Sequence, residues 1–117
     1  MSPVAETAMV SVGVGIGGAV GSVLRFHIVR LSANPLSTIL VNVAGCFLAG
    51  LCAGWFAKRG DSRWLLERTV MTGVLGGFTT FSAFGLDTVA LARSEAPLQA
   101  VLYVGASVLG GLSAVAL

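Results

Sequence analysis

Charge is what this chain lacks most. Of 117 residues only 10% are Asp, Glu, Lys or Arg, against 56% hydrophobic, and mean hydropathy is +0.93. A soluble domain carries about 25% charged residues, so too little charge is present to cover a globular surface, and the composition is that of an integral membrane protein. Acid is scarcest: none of the five acidic residues lies in the interior of an apolar run, which argues against a proton-coupled cation carrier. The net charge of +2 is small and dispersed, which excludes a nucleic-acid-binding surface. One histidine, His27, and two cysteines, Cys46 and Cys52, have no metal-ligand spacing, and the cysteines read as small packing residues. No nucleophile–base pair can be assembled, so the chain does not read as an enzyme. Lys and Arg are absent before Arg25 and Glu6 precedes the first apolar run, so a secretory n-region is missing and the first helix is expected to stay in the mature protein.

What the chain does have is four uncharged runs: Met9 to Leu24, Leu31 to Ala57, Thr69 to Leu86 and Ala96 to Leu117. A membrane-spanning helix needs about 20 residues, and the first run reaches that length if Thr7 and Ala8 join it and Arg25 snorkels. The expectation is a single four-helix transmembrane domain over 1–117, all-α, with helices at about 8–31, 37–57, 64–92 and 97–117. Short turns join them at Ser32-Ala33-Asn34-Pro35, at Lys58-Arg59-Gly60-Asp61-Ser62-Arg63 and at Arg93-Ser94-Glu95-Ala96-Pro97. Trp55 and Trp64 flank the second turn at interfacial depth. Lys58, Arg59, Arg63 and Arg68 fall on the side of the termini, and Arg25, Arg30 and Arg93 on the other. So even a split gives the positive-inside rule little to act on; it permits both orientations, and hence an antiparallel pair.

Glycine is abundant, and all sixteen except Gly60 lie within the runs. Gly13, Gly17 and Gly21 repeat every fourth residue, and Cys46, Gly50 and Gly54 continue a small-residue row from Asn42. Such rows let membrane helices approach closely. The stretch Gly73 to Phe84 is different. Paired glycines, consecutive threonines and close phenylalanines predict a helix broken near 76–82, because glycine is a poor helix former and threonine competes for backbone hydrogen bonds.

Polar residues inside the runs are the functional candidates. Asn42 lies between two valines, with Thr38 one turn earlier; it reads either as an interhelical hydrogen bond or as a donor lining a path. Tyr103, Ser107 and Gly111 share a stripe on the fourth helix. Arg25 reads as an electropositive vestibule or as a snorkelling side chain, and Asp87 as a solvated helix end or a gating carboxylate. Phe81 and Phe84 share a face, where they serve packing or turn electropositive ring edges toward a small anion. Amides, hydroxyls and ring edges without carboxylates form a donor inventory that suits an anion.

At these residues the chain resembles the Fluc/CrcB fluoride channels over nearly its whole length. The resemblance is carried by Gly17-Gly18-Ala19-Val20-Gly21 with Arg25-Phe26, by Thr38 to Gly45 containing Val41-Asn42, by Gly76-Gly77-Phe78-Thr79-Thr80-Phe81-Ser82-Ala83-Phe84, and by Tyr103 and Ser107. It implies an antiparallel, dual-topology homodimer in the inner (plasma) membrane, with two pores that passively export cytoplasmic fluoride. It further implies Phe81 and Phe84 as the phenylalanine pair, Asn42 as the pore asparagine, Arg25 as the vestibule arginine, and Tyr103 and Ser107 as members of a polar track. Thr38 and Ser82 would add hydroxyls. Gly76 and Thr79 match positions whose backbone carbonyls, from both subunits, hold a structural sodium ion (Na+). Two residues depart from the family pattern: Gly111 stands where a second track serine is common, and Asp87 where glutamate is common. The rival readings are a small dual-topology multidrug transporter, which depends on an acidic residue embedded in its first helix, and a structural protein of the membrane.

Overall fold

The computed structural model describes residues 1–31, 34–59 and 63–117. The predicted turns at 32–35 and 58–63 therefore fall in part outside the described residues. Helix α1 (Pro3–Arg30) begins where proline is best tolerated, at its first turn, with the Ser2 hydroxyl accepting from Ala5 N at 3.2 Å. Helix α2 (Pro35–Ala57) repeats the device, with Asn34 Oδ1 accepting from Leu36 N at 2.9 Å. The third span comprises α3 (Trp64–Arg68), a π-helical segment (Thr69–Leu75), a single turn α4 (Gly76–Phe78) and, past a two-residue interruption, α5 (Phe81–Arg93). Helix α6 (Pro97–Ala116) completes the chain, again with proline in its first turn.

Among the described residues four helical segments are long and apolar enough to cross a membrane: Pro3–Leu31, Pro35–Ala57, Trp64–Arg93 and Pro97–Ala116. The molecule measures 57 × 26 × 23 Å, a bundle slightly longer than a bilayer is thick. Its outer faces carry Val12, Ile16, Leu102 and Leu109, each more than 60% exposed, so lipid is the solvent of this surface. The protein is an all-α, multi-pass membrane protein. At one end Trp55 holds the Arg59 and Arg63 guanidinium carbons 4.6 and 5.4 Å from its ring centroid, an arrangement suited to the headgroup layer.

The interior is built from backbone as much as from side chains. Helix α1 lies along the π-helical segment and α4, α2 lies against α6, and α5 packs on α6. A methyl group placed on Gly17 would come within 2.5 Å of Thr69 O and 3.0 Å of Val74 N, and one on Gly21 within 2.8 Å of Phe78 N. These two glycines therefore face peptide groups of the third span, which cannot shift as a side-chain tip would. Gly50 likewise faces the Val115 backbone of α6, whereas Gly54 meets nothing within 4 Å among the described residues. The glycine row on α1 is thus an internal seam, and the row on α2 is internal only as far as Gly50.

The π-helical segment had no signal in the sequence. Hydropathy does not distinguish the two helix types over seven residues, because the difference lies in which carbonyl each amide selects.

These contacts generate a stability prediction. Gly21→Val should lower stability by roughly 1–3 kcal/mol, the range for overpacking a close-packed site, while Gly54→Ala should leave it unchanged. Thermal unfolding of the purified protein in detergent, followed by loss of the monodisperse gel-filtration peak, measures both.

Candidate functional site

Broken backbone in a membrane must be satisfied by protein or by water-filled space. Here the chain turns extended at Thr79 (φ −83°, ψ 154°) and Thr80 (φ −146°, ψ 118°) before helix resumes. Several of the freed groups find partners of a particular kind. The Thr79 amide and hydroxyl both donate to Leu75 O, at 3.0 Å each, closing the first half of the span. Thr80 Oγ1 accepts from Ala83 N at 3.2 Å, which makes Thr80 the N-cap of α5. The Thr80 peptide groups themselves are taken by Asn42 of α2: Nδ2 donates to Thr80 O at 3.0 Å and Oδ1 accepts from Thr80 N at 2.7 Å. The amide thus pairs with one residue's backbone as an adjacent strand would, because a carboxamide carries both an acceptor and a donor. Of the two readings of Asn42, the interhelical hydrogen bond is therefore present, and the second Nδ2 hydrogen remains for another acceptor.

Beside this clamp a cavity of about 260 Å³ opens on the flank of the chain, lined by Asn42, Cys46, Thr79, Thr80, Phe81, Phe84, Ser107 and Val108. Phe81 is 83% exposed, and its ring centroid lies 5.5 Å from that of Phe84 at 38°. Phe84 in turn stacks on Tyr103, 5.6 Å away and inclined by 17°. One face of Phe84 is thereby covered, which leaves its edge and its other face for the surroundings. The Ser107 hydroxyl oxygen is buried and makes no hydrogen bond among the described residues. A buried donor without a partner costs about 1–3 kcal/mol, so this hydroxyl, like the second Asn42 Nδ2 hydrogen, has a hydrogen bond still to make.

The other candidates lie around this cluster. The Tyr103 hydroxyl donates to Asp87 Oδ2 at 2.9 Å, and Thr38 is buried. Asp87 is thus a half-buried acceptor within the bundle. Thr38 and Tyr103 do not line the cavity of Asn42; Tyr103 faces a second one of about 400 Å³ beside Asn34, Ile39 and Gln99. Ser82 is exposed and pairs with Thr80 Oγ1 at 3.2 Å. Arg25 Nε donates to Gly77 O at 3.2 Å, beside the first half of the broken span. Gly76 and Thr79 stand at the carbonyl end of that half-span, where a helix leaves its last carbonyls without intrahelical partners. Gly111 is buried, and a Cβ there would stand 3.4 Å from Cys46 Sγ, in ordinary contact with a residue of the cavity wall. Sequence reasoning overlooked Thr80 as an organising residue, although a threonine three residues ahead of Ala83, just after Gly-Gly, carries an N-cap signal.

With this geometry in hand, the comparisons are direct. The profile of the family described as CrcB-like protein, Camphor Resistance (CrcB), matches residues 12–117. The chain belongs to the CrcB family. Every residue of the site, from Arg25 to Ser107, falls within the matched stretch. The chain is 41% identical over 112 residues to a fluoride-specific ion channel, FluC, of Methylobacterium sp., covering 95% of this chain and 90% of the relative. It is 45% identical over 106 residues to the FluC of Rhizobium johnstonii, covering 86% and 83%. It is 46% identical over 108 residues to the FluC of Allorhizobium ampelinum, covering 87% and 86%.

In this CrcB chain the clamp should be worth more than an ordinary surface hydrogen bond. Asn42→Ala leaves the Thr80 amide and carbonyl unpaired in apolar surroundings, and should cost about 2–4 kcal/mol. Thermal unfolding in detergent should show the loss, and hydrogen exchange should quicken at Thr80 before it quickens at the helix centres.

Proposed function

We propose that the chain is a fluoride-selective passive channel that exports cytoplasmic fluoride across the plasma membrane. The observation that carries this reading is the buried, unpartnered Ser107 hydroxyl, set in a wall with the Asn42 amide and two phenylalanines and with no carboxylate lining the cavity. Fluoride is small and strongly hydrated, so a path through the membrane has to replace its water with several donors of modest strength. Ser107 supplies a free O–H, Asn42 its remaining N–H, and Phe81 and Phe84 their electropositive edges. The rest of the break is closed by Asn42 and by the Thr79 and Thr80 hydroxyls, and the residues lining the cavity carry no charge. The relatives named as fluoride-specific channels support the same substrate.

The working unit in this reading is an antiparallel homodimer with two pores. A cavity open on the chain's flank and a phenylalanine 83% exposed beside it give one copy only part of a pore wall. The near-even split of basic residues between the two sides supports both orientations in one membrane. Gly76 and Thr79 would hold a structural sodium ion at the joint between copies. Their chemistry fits: neutral oxygens at the negative end of a helix suit a hard monovalent cation. The ion would supply charge balance and rigidity there.

The multidrug-transporter reading has no support in α1, whose acid is Glu6, exposed in the first turn.

Liposomes containing the purified protein should release fluoride and retain chloride; equal release of both, or of neither, would overturn the channel reading. Phe81→Ile should abolish fluoride release while the protein elutes unchanged from gel filtration, and undiminished release would remove that ring from the path. Replacing sodium by a large organic cation should lower the thermal stability of the dimer, measured as its unfolding midpoint in detergent.

A further inference from the structure

One residue of the broken span is gripped from a single stripe of α1. Gly18, Ser22 and Arg25 follow one another at spacings of four and three, so they share a helix face. All three meet Gly77. A methyl group on Gly77 would lie 2.6 Å from Gly18 O and 3.0 Å from Gly18 Cα, so the two backbones are in direct contact. Ser22 Oγ donates to Gly77 O at 3.4 Å, and Arg25 Nε donates to the same oxygen at 3.2 Å. A carbonyl oxygen has two lone pairs, and here both are directed at side chains of α1. Ser22 and Arg25 are half-buried rather than extended into the headgroup layer. An arginine whose Nε is engaged has its guanidinium plane fixed, which is a constraint that a lysine ammonium cannot reproduce.

Gly77 stands two residues before Thr79, which lines the cavity. The last carbonyls of a helix carry about half a negative charge, and left exposed they would oppose an anion arriving at the break. We propose that Arg25 and Ser22 are positioning residues for conduction. Together they pin the carbonyl end of the first half-span to α1 and offset its negative pole, so that the anion at the break meets donors alone. This assigns Arg25 a fixed place in the wall behind the pore, in contrast to a free charge that collects anions at its mouth. It rests on the reading of the break as an anion path.

The test compares the full-length protein with Arg25→Lys, Arg25→Gln and Ser22→Ala. Fluoride release from liposomes is followed at low and at high concentrations of an impermeant salt, and hydrogen exchange is measured across 76–84. A positioning role predicts that Arg25→Lys loses about tenfold or more in release, as does Arg25→Gln, and equally at both salt concentrations. Ser22→Ala should lose about threefold, the effect of one neutral hydrogen bond. All three should speed exchange at 79–83 while leaving α6 unchanged. Wild-type release in Arg25→Lys, or a deficit in Arg25→Gln that vanishes at high salt, identifies a steering charge and overturns the proposal. Where the Arg25 variants do not elute as the wild type does, Ser22→Ala decides: unchanged release with unchanged exchange overturns it. Absence of fluoride release from the wild type removes the channel reading, and the exchange measurements then still report on the clamp itself.

Discussion

A break in a membrane helix exposes peptide groups where no water is available, and everything near the centre of this protein follows from how those groups are satisfied. The decisive contact is the pair of hydrogen bonds between Asn42 and Thr80, at 3.0 and 2.7 Å. Because one side chain serves both peptide groups of Thr80, the interruption is confined to two residues, and helix resumes at Phe81 with Thr80 as its cap. The side chains that follow are thereby aimed. Phe84, fixed against Tyr103, and Phe81, left uncovered beside it, take their places because the first turn of α5 starts where it does.

The glycine seam of α1 serves the same constraint. Gly17 and Gly21 bring α1 onto the peptide groups of the π-helical segment and the turn beyond it, and Gly18 meets Gly77. At that separation α1 can reach carbonyls with side chains as short as serine. Close packing, hydrogen-bond closure and placement of the rings are thus one arrangement seen at three scales. Polar satisfaction in lipid depends on proximity of backbones, and proximity depends on the absence of Cβ atoms.

Much of this was legible in the residues. Four apolar runs bounded by proline, asparagine and charge define the spans, and Asn42 stands out as a strong polar group among valines. Gly76-Gly77 followed by Thr79-Thr80 marks where helix propensity fails. What remained hidden was the choice of partner. An amide in a helix can face a ligand, a neighbour's side chain or a broken backbone, and only the packing of α2 against the third span assigns it to Thr80. Tyr103 reads as a member of a polar stripe together with Ser107, yet its hydroxyl donates to Asp87 while that of Ser107 makes no bond. The distinction arises because α5 brings Asp87 within hydrogen-bonding distance of Tyr103. The π-helical turn of Thr69–Leu75 was hidden for another reason, since hydrophobic periodicity over seven residues does not reveal which amide bonds which carbonyl.

The clamp also imposes an order on assembly. Its two halves are 38 residues apart, and the side chain that supplies both hydrogen bonds is made first. When the third span leaves the ribosome and enters the membrane, the helix bearing its complement has already been synthesised, and so has α1 with Ser22 and Arg25. Peptide groups of a broken span are costly to leave unpaired in lipid, and the first two helices carry the side chains that satisfy them. The wall contributed by α6, including Ser107, arrives last. The cavity wall is therefore completed from the break outward, with the broken span held by neighbours translated before it.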